Sequence, residues 1–162
     1  MGLKETTQRI KLLVMDVDGT LTDGGIYMGD KGELFKRFNI KDGYAIRHML
    51  PKMGIEPVIL TGRESEIVNK RCVELGIKRI YQASRDKAVS LRQISEDLGI
   101  NPQEMAYIGD DLNDFPAMQI AGICGCPADA VKEIQDICEF VSESNGGYGA
   151  VREFIEWIGN NR

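Results

Sequence analysis

Six short apolar runs, separated by segments with helical periodicity, constrain the fold of this chain more than any other feature. The runs are IKLLVM, PVIL, IKRIY, MAYIG, GICG and CEFV, which begin at residues 10, 57, 77, 105, 122 and 138. Each run has the length and composition of a buried strand. Because strands that alternate with helices pair in parallel through crossover connections, the pattern predicts an α/β fold with a parallel sheet flanked by helices.

Two of the intervening segments place their apolar residues on one helical face and end at a glycine. The face residues are Ile67, Val68, Cys72 and Leu75 in the first segment, and Leu91, Ile94 and Leu98 in the second. Gly76 and Gly99 follow at the positions where a left-handed cap ends a helix. Asn101 and Pro102 indicate a further helical start, because asparagine caps helices and proline fits the first turn.

The length and charge of the chain limit the classes of function. The 162 residues are enough for one hydrophobic core, so we predict a single domain over residues 1–162. A net charge of −5 without a basic cluster argues against nucleic-acid binding. No apolar run is long enough to span a bilayer, so we expect no membrane partner. The N-terminal stretch MGLKETTQRIK lacks the apolar region of an export signal, and we expect a cytoplasmic protein.

The cysteines and the histidine do not form a zinc-binding pattern. The cysteines are Cys72, Cys124, Cys126 and Cys138, which show no CxxC spacing, and His48 is the only histidine. We expect the cysteines to be buried thiols in a reducing compartment. Nothing in the sequence assigns a role to Arg47, and we interpret the neighbouring His48 as structural.

One stretch departs from the alternation of strands and helices. Residues 21–39, LTDGGIYMGDKGELFKRFN, carry two β-prone arms around the turn GDKG, which predicts a protruding β-hairpin over about residues 22–39. An isolated two-stranded hairpin is only marginally stable in water. Its apolar residues need cover, and they are Ile26, Tyr27, Leu34, Phe35 and Phe38. We therefore expect the hairpin to pack against other subunits.

Polar residues follow four of the six apolar runs. Asp16 and Asp18 follow the first run, Thr61 and Gly62 the second, Lys87 the third, and Asp110, Asp111 and Asp114 the fourth. Sheets of this type bind ligands beyond the carboxyl ends of their strands. Each group alone is explained equally well by turn formation, helix capping or a solvent-exposed face. Together, four consecutive strand ends that carry such groups predict one shared active site.

The residue types at these strand ends indicate a metal-dependent phosphate site. Converging carboxylates repel one another unless a cation joins them, and oxygen ligands without His or Cys suit Mg²⁺. A lysine in the first turn of a helix opposes the helix dipole, so Lys87 at that position favours an anion nearby. Thr61 and the backbone amide of Gly62 offer hydrogen-bond donors that would hold the same anion.

We expect the two aspartates after the first run to divide the chemistry. Asp16 is the expected nucleophile, which forms an aspartyl-phosphate and so divides hydrolysis into two displacements. Asp18 is the expected general acid and base, which protonates the leaving alkoxide and then activates water. Lys87 and Mg²⁺ neutralise the phosphate oxygens, and Asp110 completes the metal ligation.

The motifs DVDGT, TGR, RDK and GDDLND resemble the four motifs of the haloacid dehalogenase-like phosphohydrolase superfamily, whose fold is a Rossmann-like parallel sheet. Within it, the chain resembles the compact 3-deoxy-D-manno-octulosonate 8-phosphate (KDO 8-phosphate) phosphatases from about residue 10 to residue 157. DGTLTDG, DGYAIR, TGRES, RC, NKR and GGYGAVRE carry this closer resemblance. It implies a phosphatase without a cap domain, because residues 18–61 hold only the hairpin and one helix.

The resemblance also implies a metal site and an assembly. Asp16 and Asp110 would bind Mg²⁺ through their side chains, and Asp18 through its backbone carbonyl. Asp111 and Asp114 would support this site. The implied assembly is a homotetramer in which the hairpins form a central barrel and neighbouring subunits close each active site.

The glycine-rich stretch NGGYGAVRE near the C-terminus resembles a segment that is mobile in relatives and folds over the bound substrate. We therefore expect a flexible C-terminal tail over about residues 145–162. The same stretch is also explained as the start of a helix after a flexible loop.

The choice among sugar-acid substrates depends on Arg63. Related enzymes hydrolyse ketodeoxynonulosonate 9-phosphate or sialic acid 9-phosphate, and tend to carry Glu at the position of Arg63 and Lys at that of Glu74. The reversed charges favour KDO 8-phosphate, whose carboxylate Arg63 can bind in a bidentate pair, and whose hydrolysis would serve lipopolysaccharide biosynthesis. The alternative is that Arg63 pairs with Glu64 or Glu74 on a helix surface.

Two other classes of protein use similar parts. Receiver domains of signalling systems carry an acidic pair on the first strand and a lone phosphorylated aspartate later, whereas here the expected nucleophile, Asp16, comes first. Non-catalytic oligomerisation modules related to these phosphatases occur fused to sugar-nucleotide synthetases. This chain keeps the carboxylates and Lys87 that catalysis requires, so we expect an enzyme.

Overall fold

The computed structural model describes residues 2–162, whose elements follow the alternation expected from the sequence. The eight strands of this part are β1 (Leu12–Met15), β2 (Tyr27–Gly29), β3 (Gly32–Phe35), β4 (Glu56–Leu60), β5 (Arg79–Tyr81), β6 (Met105–Ile108), β7 (Ile123–Cys126) and β8 (Phe140–Val141). Its seven α-helices are α1 (Leu3–Arg9), α2 (Ile40–Tyr44), α3 (Glu66–Leu75), α4 (Lys87–Leu98), α5 (Phe115–Met118), α6 (Lys132–Gln135) and α7 (Ala150–Asn160). A π-helical turn spans Ala45–Met49, and 3₁₀ turns span Leu50–Met53 and Pro102–Glu104.

The six apolar runs form one parallel sheet in the order β5-β4-β1-β6-β7-β8. The predicted α/β class is therefore confirmed. The chain builds the sheet outward from β1 in one direction through β4 and β5, and then in the other through β6, β7 and β8. The loops on the two sides of β1 consequently diverge, and a crevice opens at the carboxyl end of β1, where sheets of this type bind ligands.

The register of the sheet places three strand ends side by side. Met15 at the end of β1 is paired with Ile59 of β4 on one side and with Ile108 of β6 on the other. The backbone N–H of Asp16 continues the ladder by donating to the carbonyl of Ile108 at 3.1 Å. The residues that follow β1, β4 and β6 therefore leave the sheet at the same level.

Strand β1 is buried on both faces of the sheet. Leu13 and Met15 belong to the core layer that includes Phe154 of α7. Leu12 and Val14 point to the opposite layer, which includes Leu91 of α4. Burial on both faces explains why β1 is a continuous apolar run without polar alternation.

The predicted helix ends are also confirmed. Gly76 ends α3 with a φ of +74°, and Gly99 ends α4 with a φ of +62°, the left-handed conformation that glycine adopts without strain. The side chain of Asn101 accepts a hydrogen bond from the backbone of Gln103 and so caps the short 3₁₀ turn.

The predicted hairpin is present, and most of its apolar surface is exposed. β2 and β3 pair antiparallel, and the bridge between Thr22 and Phe38 closes the base. Four side chains are half exposed or more: Ile26 (52%), Met28 (57%), Leu34 (62%) and Phe35 (52%). Phe38 differs from the prediction that it needs another subunit, because it packs against the main core and beneath the Arg71 guanidinium.

The C-terminal segment differs from the expectation of a flexible tail over residues 145–162. Residues 150–160 form α7, a helix that packs in the core. Its buried residues are Ala150, Val151, Phe154, Ile155 and Ile158. The physical reason is the spacing of these apolar residues, which form one helical stripe that covers a face of the sheet. The alternative explanation, a helix after a glycine-rich loop, describes this segment.

Within residues 2–162 the four cysteines are free thiols, and three of them, Cys72, Cys124 and Cys126, are buried as expected. Cys138 is partly exposed. None of the helices in the described part of the chain has the length and apolar character needed to cross a membrane.

Candidate active site

The two aspartates that follow β1 differ in burial. Asp16 is 4% exposed, whereas the side chain of Asp18 is 20% exposed. Burial raises the pKa of Asp16 to about 6, and the charge of Asp114 raises it further, whereas the charge and the hydrogen bond of Lys87 act to lower it. A carboxylate in such a site is costly to ionise unless positive charge lies close to it.

Lys87 supplies that positive charge from the first residue of α4. Its side chain is 2% exposed, and its Nζ lies 2.7 Å from Asp16 Oδ1 and 2.6 Å from Asp114 Oδ1. Although burial acts to lower the pKa of Lys87, the charges of the two carboxylates raise it above its usual value. The predicted lysine at a helix start is therefore a buried cation that joins two strand ends.

Asp114 is fully buried and accepts hydrogen bonds at both oxygens. Its Oδ1 accepts from Lys87 and from the Tyr107 hydroxyl at 2.8 Å. Its Oδ2 accepts from the backbone N–H groups of Asp110 at 3.1 Å and of Asp111 at 3.4 Å. These contacts fix the loop after β6 and connect it to Lys87.

Asp110 lies on this fixed loop, opposite the loop that follows β1. The Thr20 hydroxyl donates to its Oδ1 at 3.0 Å. Burial raises the pKa of Asp110 to about 8, with contributions from the charges of Asp16 and Asp114. Oxygen atoms from these three aspartates lie within 4.8 Å of one another. Since bound Mg²⁺ would offset this repulsion and prefers oxygen ligands, the donor set fits a magnesium ion.

An open pocket of about 260 Å³ lies against these carboxylates. It is lined by Asp16, Asp18, Thr61, Gly62, Arg63, Asp110, Asp111 and Asn113. The pocket thus collects residues that follow β1, β4 and β6, as the register of the sheet requires. Lys87 and Asp114 do not line it, because both are buried behind Asp16.

Arg63 has a different partner from those expected. Its guanidinium lies 3.7 Å from Glu33 of the hairpin and is 43% exposed. Glu74, an expected alternative partner, pairs instead with Arg71 at 2.8 Å. Arg63 therefore lines the pocket as a partly exposed side chain that forms a long ion pair with the hairpin.

The sequence interpretation missed a second buried lysine. Lys36 follows β3, and its side chain is 2% exposed. Its Nζ lies 2.5 Å from Asp18 Oδ1 and 2.8 Å from Glu33 Oε1, and the Ser65 hydroxyl donates to Glu33 at 2.5 Å. The local sequence does not predict this contact, because Lys36 directly follows the exposed Phe35. The position of the hairpin relative to the sheet is set by tertiary packing.

The glycine-rich loop before α7 packs against the loop that carries Asp18. Gly147 N donates to the Thr20 carbonyl at 3.2 Å, and Gly147 O accepts from Arg37 at 2.7 Å. A Cβ atom on Gly146 would lie 1.8 Å from the carbonyl oxygen of Gly19, so only glycine permits this approach. In this arrangement the loop packs on the backbone that directly follows Asp18.

Arg47 and His48 lie on the exposed face of the π-helical turn. The His48 ring packs on Tyr44 with a centroid distance of 4.8 Å, and Arg47 donates to the carbonyl of Glu74. Neither of these side chains lines the pocket.

The arrangement can carry out phosphoryl transfer. Asp16 is a buried carboxylate held by an adjacent cation, and Asp18 is a second carboxylate within the same pocket. Thr61 and Gly62 line the same pocket, and Asp110 completes an acidic group that suits a divalent cation. A metal, a lysine and two carboxylates are the parts that displacement at an anionic phosphate requires.

Comparison with known proteins agrees with this chemistry. A sequence model of the haloacid dehalogenase-like hydrolases matches residues 73–155. The chain is 44% identical over 151 residues to the 3-deoxy-D-manno-octulosonate 8-phosphate phosphatase KdsC of Escherichia coli (strain K12). The match covers 93% of this chain and 80% of that protein.

Solved structures of similar proteins share the fold. The 3-deoxy-D-manno-octulosonate 8-phosphate phosphatase of Moraxella catarrhalis, in complex with a magnesium ion, a phosphate ion and KDO, has a TM-score of 0.93 and 37% identity, over 99% of this chain and 91% of that one. The cobalt-bound deoxy-D-mannose-octulosonate 8-phosphate phosphatase of Haemophilus influenzae has a TM-score of 0.91 and 34% identity, over 96% of this chain and 91% of that one.

Proposed function

Because the chain belongs to the haloacid dehalogenase-like hydrolases and is a phosphatase, we propose that it hydrolyses KDO 8-phosphate to KDO and phosphate. The proposed reaction depends on Mg²⁺ and passes through an aspartyl-phosphate. The observation that carries the proposal is the geometry of the two aspartates after β1, where buried Lys87 holds Asp16 and Asp18 lines the same open pocket.

In the first displacement, an oxygen of Asp16 attacks phosphorus and the bond from phosphorus to the sugar oxygen breaks. Asp18 gives its proton to the leaving alkoxide. Lys87, 2.7 Å from Asp16, keeps the nucleophile in place and offsets negative charge at the phosphate. Thr61 and Gly62, which line the same pocket, hold the phosphoryl group.

In the second displacement, water attacks phosphorus and the aspartyl-phosphate breaks. Asp18, now a carboxylate, takes the proton of the water, and Asp16 leaves as a carboxylate. One residue therefore serves as acid and then as base, and both aspartates return to their starting states when phosphate departs.

We propose Asp16, Asp110 and the backbone carbonyl of Asp18 as the groups that would hold Mg²⁺. When bound, the ion would supply positive charge that offsets the negative charge of the carboxylates and the phosphate. Asp111 and Asp114 have supporting roles. For Asp114 this follows from its four hydrogen-bond donors, which use both oxygens to fix the loop of Asp110.

The substrate assignment is supported by Arg63 and by the relatives. Arg63 stands at the pocket edge, where a sugar carboxylate could replace the long 3.7 Å contact with Glu33 by a bidentate pair. The relative from Moraxella catarrhalis was solved with magnesium, phosphate and KDO. The alternative substrates are ketodeoxynonulosonate 9-phosphate and sialic acid 9-phosphate, which carry the same kind of carboxylate.

Three further features belong to the proposal: a single phosphatase domain over residues 1–162, a cytoplasmic location and a homotetramer. The free thiols are consistent with a reducing compartment. The exposed hairpin side chains are consistent with burial by other subunits. A non-catalytic oligomerisation module is the alternative from a different class.

The deciding experiment compares phosphate release from KDO 8-phosphate and from ketodeoxynonulosonate 9-phosphate in the presence of Mg²⁺. We expect a higher kcat/KM for KDO 8-phosphate, because this ratio reports differential binding of the two transition states. We also expect Asp16→Asn to abolish turnover, whereas Asp30→Asn, in the exposed hairpin turn, retains it.

The outcomes separate the parts of the proposal. A preference for the nine-carbon substrate would overturn the assignment based on Arg63 and leave the mechanism in place. Full activity of Asp16→Asn would overturn the nucleophile assignment. If the folded wild-type protein released no phosphate from any sugar-acid phosphate, this result would favour the oligomerisation module.

A further inference from the structure

Lys36 links the hairpin to one aspartate of the site. It lies at the end of the second hairpin arm, directly after β3, and its side chain is 2% exposed. Its Nζ is 2.5 Å from Asp18 Oδ1. Two lysines from different parts of the chain therefore each hold one of the two aspartates, because Lys87 of α4 holds Asp16.

Folding alone does not account for a charged side chain at this position. A buried ion pair costs the desolvation of both charges, and well-packed apolar residues of similar volume are often at least as stable. An ammonium does offer a directional contact that an apolar side chain cannot make. The contact that it makes here is to the carboxylate on which proton transfer depends.

We propose that Lys36 is a positioning residue for Asp18, through which the hairpin sets the orientation of the acid and base. Lys36 holds Oδ1, which leaves Oδ2 to carry the proton to and from the reacting oxygen. The inference rests on the proposed function, because Asp18 transfers a proton only in that reaction.

Glu33 fixes Lys36 in turn. It lies 2.8 Å from the ammonium and accepts the Ser65 hydroxyl at 2.5 Å. Burial acts to raise the pKa of Glu33, but the hydrogen bonds from Lys36 and Ser65 keep it below its usual value. Glu33 also lies 3.7 Å from Arg63, so the contacts that orient Asp18 continue to the edge of the pocket where the sugar would bind.

The test uses two substrates that differ in their need for a proton. The alkoxide of a sugar phosphate must be protonated as it leaves, whereas the nitrophenolate of p-nitrophenyl phosphate leaves without a proton. We expect Lys36→Met to lower kcat/KM for KDO 8-phosphate by about 10²-fold, the usual size of a general acid contribution, and to change kcat/KM for p-nitrophenyl phosphate little. Lys36→Arg should restore part of the loss.

Two further variants make the test specific. Lys31→Met, at an exposed lysine of the same hairpin, should leave both kcat/KM values unchanged. In an Asp18→Asn background, Lys36→Met should cause no additional loss with KDO 8-phosphate, because coupled residues are not additive. If Lys36→Met fails to fold, Glu33→Gln can be used instead, because it leaves both Lys36 and Asp18 in place. It should lower kcat/KM by a smaller factor, and only for the sugar phosphate.

Equal losses on the two substrates, or an additional loss in the Asp18→Asn background, would overturn the positioning role and leave the proposed function intact. Failure of the wild-type protein to hydrolyse any phosphomonoester would instead overturn the proposed function, and the inference with it. The two failures are therefore distinguishable.

Discussion

The hairpin and the C-terminal helix both carry large apolar side chains, but these are exposed in the hairpin and buried in the helix. In the hairpin, Leu34 is 62% exposed and Phe35 is 52% exposed. In α7, Phe154 and Ile155 are completely buried. Phe154 stacks with Phe140 at a centroid distance of 5.6 Å, whereas Phe35 has a stacked partner only within its own hairpin, Tyr27 at 4.3 Å.

The comparison teaches that the same residue types serve two different purposes. The apolar stripe of α7 covers one face of the sheet, so its transfer from water stabilises the subunit itself. The apolar surface of the hairpin adds nothing to the subunit until something covers it. Three predictions test this difference, beginning with the largest expected effect.

The first prediction compares two phenylalanines. We expect Phe154→Ala to lower the free energy of unfolding by about 3–5 kcal/mol, because it leaves a cavity in the core. Phe35→Ala should cost the subunit about 1 kcal/mol or less, since it removes a half-exposed ring and its contact with Tyr27. Urea unfolding followed by circular dichroism measures both values.

Protein concentration provides the control for this pair. The decrease in the free energy of unfolding caused by Phe154→Ala should not depend on protein concentration. A decrease of more than about 1 kcal/mol for Phe35→Ala should appear only at concentrations at which subunits associate. Equal losses in the two variants at high dilution would contradict the proposed division between core and interface.

The second prediction concerns Asp42, which joins the two regions. It lies in α2 after the hairpin, is 1% exposed, and its Oδ1 accepts from the backbone of Arg152 in α7 at 2.8 Å. Burial raises its pKa from 3.8 to about 6. Because the folded state then favours the protonated form, this group reduces stability as pH rises from about 4 to about 6.

The variant Asp42→Asn removes this titration and retains an oxygen that can accept from Arg152. Its stability relative to wild type should therefore increase by about 2 kcal/mol between pH 4 and pH 7. Urea midpoints at the two pH values measure the change. Asp30→Asn in the exposed turn should show no such increase, and a constant difference for Asp42→Asn would refute the assignment.

The third and smallest effect on the subunit is expected from Leu34→Glu. A charge on this exposed side chain should change the free energy of unfolding of the subunit by about 0.5 kcal/mol or less. It should, however, prevent burial of the hairpin by other subunits. Light scattering after size exclusion should report a smaller assembly than for wild type, and an unchanged mass would place the interface elsewhere.

The sheet and the buried lysine of α4 could be predicted because their signals are local. Each apolar run is continuous, and each polar group follows its run directly, so Asp16, Thr61 and Asp110 needed only the rule that parallel strand ends converge. Lys87 was identifiable because a cation at a helix start is unfavourable by itself. The structure brings these four residues to one place.

The remaining features depend on contacts between distant segments. Lys36 and Glu33 reach the site only because the hairpin folds back on the loop after β1, and Tyr107 contacts Asp114 from within a strand that looks purely apolar. The glycines before α7 resembled a mobile segment, but their chain is held by the core contacts of the helix that follows. Composition gives no measure of such packing.

The close approach of two loops has a consequence for genetic screens. Gly146 and Gly147 touch the backbone between Gly19 and Asp23, where a Cβ on either would lie within 2.4 Å of a main-chain atom. A screen for loss of activity would therefore recover substitutions at both glycines, although neither lines the pocket. Such substitutions would show that residues outside the pocket also restrict which sequences keep the enzyme active.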